Sequence, residues 1–164
     1  MAHDHEYFMK LALDAAQKAS DCEEVPIGAV VINTQTQAIL SKGKNETRQR
    51  HNPCAHAEIL AIEEACRKAG AQRIPECSIY VTLEPCPMCA AAISYARLQS
   101  LVFGAADDKS GGVISGPQLY ASPVMHYKPE VIGGIMAEEC GQILKEFFRK
   151  RRIENAGRRI EDNG

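Results

Sequence analysis

The amino-acid sequence predicts an α/β fold built in layers, with a central sheet covered by helices on both faces. Three observations carry this. The hydrophobic period switches repeatedly between helix-like and strand-like spacing along the chain. Strand-like runs alternate with helical stretches of about ten to fifteen residues, the mark of βαβ units. The 164 residues, 45% of them apolar, suit one globular domain with one core.

The elements follow in order. Residues 5–20 place Phe8, Leu11, Ala12, Ala15 and Ala19 at helical spacing. "IGAVVIN" and "QAILSKG" are short strand-like runs joined by the polar turn at residues 34–37, so a hairpin follows the helix. A polar loop leads to Cys54. "AHAEILAIEEACRKAG" then carries Ile59, Ile62 and Cys66 on one face and stops at Gly70, a good helix terminator. "SIYVTLE" reads as a strand, and Pro85 turns the chain into the helix "PMCAAAISYAR". The strand "SLVFGA", the Gly-rich stretch "DDKSGGVISGP" and a weak strand near Val131 come next. A last helix is expected over residues 137–152. Residues 1–152 thus form a single domain, with 153–164 expected to be a charged, frayed C-terminal tail.

Charge is unevenly spread. The formal net charge is −2, yet residues 149–164 hold six Arg or Lys against three Asp or Glu, which leaves 13 against 18 for the rest. Such an end is read either as a solvated helix terminus or as an attraction for nucleic acid. The longest apolar runs, such as "PIGAVVI", fall well short of the ~20 residues a bilayer span requires, and "MAHDHEYF" lacks a basic segment followed by an apolar one. A soluble, cytoplasmic protein with no membrane partner is expected. Seven cysteines include one C-x-x-C, which in such a chain points to metal or redox chemistry before structural disulfides.

Two compact groups carry the chemistry. His56 and Glu58 open one predicted helix, and Cys86 and Cys89 open another. A helix start has unpaired N–H groups and a positive end that favours thiolates. Cysteines at i and i+3 on a first turn share a face and can grip one metal ion. Two thiolates and one imidazole make three protein ligands, the catalytic zinc arrangement with its fourth position left for water, whereas structural sites use four. Glu58 remains as a spare carboxylate placed to move a proton. A disulfide oxidoreductase would explain Cys86 and Cys89 but has no use for "HAE". A structural zinc-binding module would leave Glu58 idle.

These residues resemble the zinc-dependent cytidine and nucleotide deaminase superfamily, whose signature is H-x-E followed by P-C-x-x-C. The likeness extends through "EVPIGAVV", the Asn of "GKNET", "AHAEI", "YVTLEPCPMCAAAI", "FGAADDKSGG" and "ILKEFFRKRR", and among these enzymes it is nearest to the bacterial tRNA-specific adenosine deaminases. The resemblance implies a three-layer α/β/α cytidine-deaminase-like fold with a mixed five-stranded sheet. It implies one zinc ion per chain on His56, Cys86 and Cys89, and Glu58 as the group that takes a proton from water and passes it to the purine. The activity implied is hydrolytic conversion of adenosine to inosine at the wobble position of tRNA anticodons, by a homodimer. A sister activity on guanine, cytosine or a free nucleotide shares the same core and is the alternative.

Other positions carry over residue by residue. Asn45 resembles the Asn that hydrogen-bonds the target nucleotide, though it could simply cap a turn. Asp107 and Lys109 lie in the loop expected to meet the flipped anticodon, or are ordinary loop charges. Phe148, Arg149, Arg151 and Arg152 would stack on bases and contact phosphates. Of the adjacent Phe147 and Phe148, at least one is expected in the core. The segment from Val25 to Gly28 is expected in the pocket wall. Cys54 stands where the family often has Thr, and Asp108 adds a charge to its loop. Cys22, Cys66, Cys77 and Cys140 are read as small core or surface residues.

Overall fold

A computed structural model describes residues 3–162. The order is α1 (His5–Asp21), β1 (Gly28–Asn33), β2 (Ile39–Lys44), α2 (Ala57–Ala69), β3 (Cys77–Leu83), α3 (Pro87–Tyr95), β4 (Ser100–Ala105), a short 3-10 turn (Leu119–Ala121), β5 (Glu130–Ile132) and α4 (Ala137–Asp162). The strands form one sheet in the order β2-β1-β3-β4-β5. β1 pairs antiparallel with both β2 and β3, while β3, β4 and β5 run parallel, so the sheet is mixed, as the resemblance implies.

Side-chain alternation sorts the two faces. Ala29 and Val31 of β1, Ile79 and Val81 of β3, and Leu101 and Phe103 of β4 meet Ala57, Ala61 and Ile93 of α2 and α3. The residues between them, Val30, Ile32, Tyr80 and Val102, meet Phe8, Met9 and Ala12 of α1 and Cys140 of α4. Both faces of the central strands are therefore buried, which explains their near-continuous apolar runs. The result is a three-layer α/β/α sandwich. Close backbone approach sets the spacing at one point: a Cβ on Gly28 would strike the Ala12 carbonyl oxygen and come within 2.6 Å of the Ala16 nitrogen. No helix among the described residues is long and apolar enough to cross a membrane.

Three expectations need correction. The buried face of α2 runs through Ala57, Glu58, Ala61, Ile62 and Ala65, with Ile59 and Cys66 only partly covered. Small residues sit innermost because the helix lies directly on β2, where a Cβ at Gly43 would strike the Ala57 carbonyl. Neither Phe147 nor Phe148 joins the core; they pack edge-to-face on each other, 5.4 Å between centroids. The last helix does not stop at 152 but continues to Asp162. Residues 153–162 are exposed, and their Glu, Arg, Ala and Ile are adequate helix formers that let the helix propagate.

Candidate active site

Antiparallel pairing of β1 brings its start to the same end of the sheet as the last residues of β2, β3 and β4, since Ala29 pairs with Val81 and Gly28 with Lys44. The carboxyl ends of parallel strands are the usual place for a ligand in such sheets. Here a cleft of about 700 Å³ opens, lined by Val25, Ile27, His56, Glu58, Leu83, Glu84, Cys86, residues 106–110, and Leu144, Lys145 and Phe148 from α4.

His56 is the N-cap of α2 and Cys86 the N-cap of α3, both in extended backbone conformation. An N-cap is normally a short polar residue whose side chain bonds the first turn. Neither His56 nor Cys86 makes such a bond. Both side chains point instead to a common place, where Nδ1 of His56 stands 3.4 Å from the Cys89 Sγ and 3.7 Å from the Cys86 Sγ. All three donor atoms lie within 4.8 Å of one another. Pro87 at the first position of α3 presets that turn without losing a needed N–H.

The electrostatics follow from crowding these groups. The hydrogen bond from Cys89 and the imidazole of His56 lower the Cys86 pKa to about 4, so Cys86 is a thiolate. Cys89, sharing its proton with Cys86 and buried, is pushed far up. His56 is raised by its hydrogen bond with Cys86, against the opposing effect of burial. Glu58, two residues into α2 and only 4% exposed, has its carboxyl pushed up by burial. A soft, sulfur-rich set of three close donors with a carboxylic acid beside it fits a borderline-soft divalent ion such as zinc. Cys54, exposed, does not join the cluster.

The remaining sequence-predicted residues divide. Asp107 and Lys109 line the cleft, as does Phe148, which is 41% exposed. Asn45 is buried, and its Oδ1 has no hydrogen-bond partner among the described residues, while its N–H donates to the Ile27 carbonyl at 3.1 Å. An orphaned buried carbonyl oxygen is costly unless something donates to it. Arg149 and Arg152 are exposed and do not line the cleft. Arg151 turns away from it, donating to the Glu23 carbonyl at 3.4 Å and lying over the Phe147 ring at 4.9 Å.

Sequence reasoning missed four contributors. Leu144 and Lys145 reach the cleft because α4 packs on the sheet through Cys140, one helical turn earlier. The other two are buried acids. Glu24, fully buried, accepts from the N–H groups of Arg48 and Gln49 and so ties down the loop that follows Asn45. Glu84 does the same for the loop after β4. Only Glu84 had a local signal, a carboxylate set between Leu83 and Pro85 in "LEPCP"; Glu24 follows Glu23 and has none, and in neither case does the sequence show the donors.

The sequence matches the MafB19-like deaminase family over residues 3–152. It is 44% identical over 149 residues to a tRNA-specific adenosine deaminase of Agrobacterium fabrum, covering 91% of this chain and 97% of that one. It is 43% identical over 148 residues to the enzyme of the same name from Bacillus subtilis, covering 90% of each. A structure from a study of A-to-I editing by tRNA:A34 deaminases superposes with a TM-score of 0.82 at 44% identity, over 84% of this chain and 99% of that chain. A guanine deaminase from Nitrosomonas europaea shares the fold at a TM-score of 0.79 but only 20% identity, over 90% of this chain and 86% of that chain. With this level of identity along nearly the whole chain, and the H-x-E and P-C-x-x-C groups converging in one cleft, the protein belongs to the cytidine-deaminase-like deaminases, in the branch of the tRNA-specific adenosine deaminases.

Proposed function

We propose that this protein hydrolyses adenosine to inosine at the wobble position of tRNA anticodons, in the cytoplasm, as a homodimer holding one zinc ion per chain. The observation that carries the chemistry is the convergence of His56, Cys86 and Cys89 beside the buried acid Glu58. The choice of tRNA adenosine rests on the relatives' names and on the likeness to the tRNA:A34 deaminase structure.

His56 Nδ1 and the sulfurs of Cys86 and Cys89 would hold the zinc, which supplies the Lewis acidity that activates water near neutral pH. Glu58 is the proton carrier. Its carboxylate oxygen takes a proton from the attacking water, gives it to the purine ring nitrogen, and later delivers one to the departing amine, so that ammonia leaves. Burial, by raising its affinity for the proton, suits it to hold one between these steps. Asn45 donates and accepts at the target nucleotide, its unpartnered Oδ1 meeting a hydroxyl or amine. Val25, Ile27 and Leu83 provide the apolar wall against an unstacked base, and Phe148 at the rim stacks on a neighbouring one. Lys109 and Lys145 face the backbone phosphates, with the exposed Arg149 and Arg152 further along α4 adding a salt-dependent attraction. The small-residue helix α3, with Tyr95 68% exposed, supplies a surface for a second copy.

Purified protein incubated separately with unmodified tRNA transcripts, adenosine, guanine and cytosine, followed by nucleoside analysis, tests the reading. Inosine should appear in a tRNA subset and at the wobble position. Preferential conversion of a free base would move the assignment to a small-molecule deaminase. The role of α4 has its own measurement: Phe148→Ala should raise KM for an anticodon stem-loop by ~10-fold, the value of one lost aromatic stack. Because Phe148 is outside the core, the fold should survive the change. An unaltered KM would remove Phe148 from the RNA-binding surface.

A further inference from the structure

Glu84 follows β3 immediately, stands two residues before Cys86, and is 2% exposed. Among the described residues its hydrogen-bond partners are backbone N–H groups and one hydroxyl, with no Lys or Arg side chain. Its Oε1 accepts from the Asp107 N–H at 3.0 Å and from the Ser115 hydroxyl at 2.9 Å. Its Oε2 accepts from three successive N–H groups, those of Val113 at 3.1 Å, Ile114 at 3.0 Å and Ser115 at 3.0 Å. Backbone N–H groups turned inward in this way form a nest for an anion, and here the anion is the protein's own side chain.

The loop over residues 107–115 is built around that carboxylate. A Cβ on Gly111 would lie 2.5 Å from the Glu84 carboxyl, and one on Gly112 would lie 2.7 Å from the Pro87 nitrogen. The Gly112 N–H donates to the Pro85 carbonyl at 2.8 Å. The Asp107 side chain accepts from the N–H groups of Lys109 and Ser110, completing a tight turn. One end of this loop is the cleft wall at residues 107–110, and its middle lies against the turn that carries Cys86 and Cys89. With both carboxylate oxygens occupied by donors, Glu84 is not free to exchange protons with a substrate, although it lines the same cleft as Glu58.

We propose that Glu84 is a positioning residue for the deamination reaction: it fixes the Asp107–Ser110 wall, and so the place of the RNA, relative to the turn bearing Cys86 and Cys89. The proposal rests on the tRNA deaminase reading above. It assigns the carboxylate a task in substrate binding and not in the chemical step.

Glu84→Gln tests it. The amide keeps the volume but turns one oxygen into a donor. Placing the NH2 group at the Oε1 position leaves the three N–H bonds to Oε2 intact, lets the Ser115 hydroxyl reverse, and sacrifices the bond to Asp107. The expected result is a KM for an anticodon stem-loop raised ~10-fold, the worth of one charge-assisted hydrogen bond. Meanwhile kcat at saturating RNA should change less than ~3-fold, and zinc content should be the same as in the unaltered protein. Amide hydrogen exchange at residues 107–115 should accelerate while that of β3 and β4 stays unchanged. Ser115→Ala, which removes only the hydroxyl bond, should move KM and exchange in the same direction by less. Loss of zinc together with kcat in Glu84→Gln, or normal KM with unaltered loop exchange, would overturn the proposal. If the unaltered protein fails to deaminate the stem-loop, the functional reading fails, and the exchange measurement alone still decides whether Glu84 fixes the loop.

Discussion

Cys86→Ala is expected to remove both zinc and activity. The three donor atoms within 4.8 Å of one another are the only such cluster among the described residues, and exposed Cys54 is no substitute. Affinity for zinc grows steeply with the number of correctly placed thiolates, so a site reduced to one sulfur and one imidazole would lose the metal during purification. The fold should tolerate the change. The Cys86 side chain makes no capping hydrogen bond, and the core of this region comes from Cys89, Ala90 and Ile93 of α3. The check is elemental analysis beside circular dichroism and turnover. Full zinc content in a folded Cys86→Ala protein would rule out this ligand set.

The second large effect is expected at Glu58, with the opposite signature. Glu58→Gln preserves volume at a buried position, so packing should change little. The amide can neither take a proton from water nor carry one to the purine. Turnover should fall at least ~10²-fold, the low end for a general acid-base group. Zinc content and RNA affinity should persist, because Glu58 lies outside the donor cluster. Metal analysis, a stem-loop binding isotherm and single-turnover kinetics separate these terms. A variant with near-normal turnover would exclude the proton-carrying role, whereas one that lost zinc would make Glu58 part of the metal site. Cys86→Ala and Glu58→Gln therefore distinguish ligand from shuttle by what each retains.

Features that depend on residues close in the chain could be read from the sequence alone. The order of helices and strands, the stop of α2 at Gly70 with its left-handed φ of 66°, and the placement of His56 and Cys86 at two helix starts follow from local spacing and local backbone chemistry. So does the kind of chemistry, since cysteines at i and i+3 on a first turn share a face wherever the helix goes. The tertiary structure decided what depends on how distant segments meet. Whether a cation on α4 faces the cleft is a matter of the helix's rotation, which its mostly polar sequence leaves open. Contact of Cys140 with the sheet sets that rotation, carrying Leu144, Lys145 and Phe148 to the cleft and Arg151 to the Glu23 carbonyl. The roles of Glu24 and Glu84 were hidden for the same reason. A buried carboxylate becomes intelligible only when its donors are seen, and these are backbone N–H groups 23 to 31 residues away, identical in every residue but proline and therefore without a signature in the sequence.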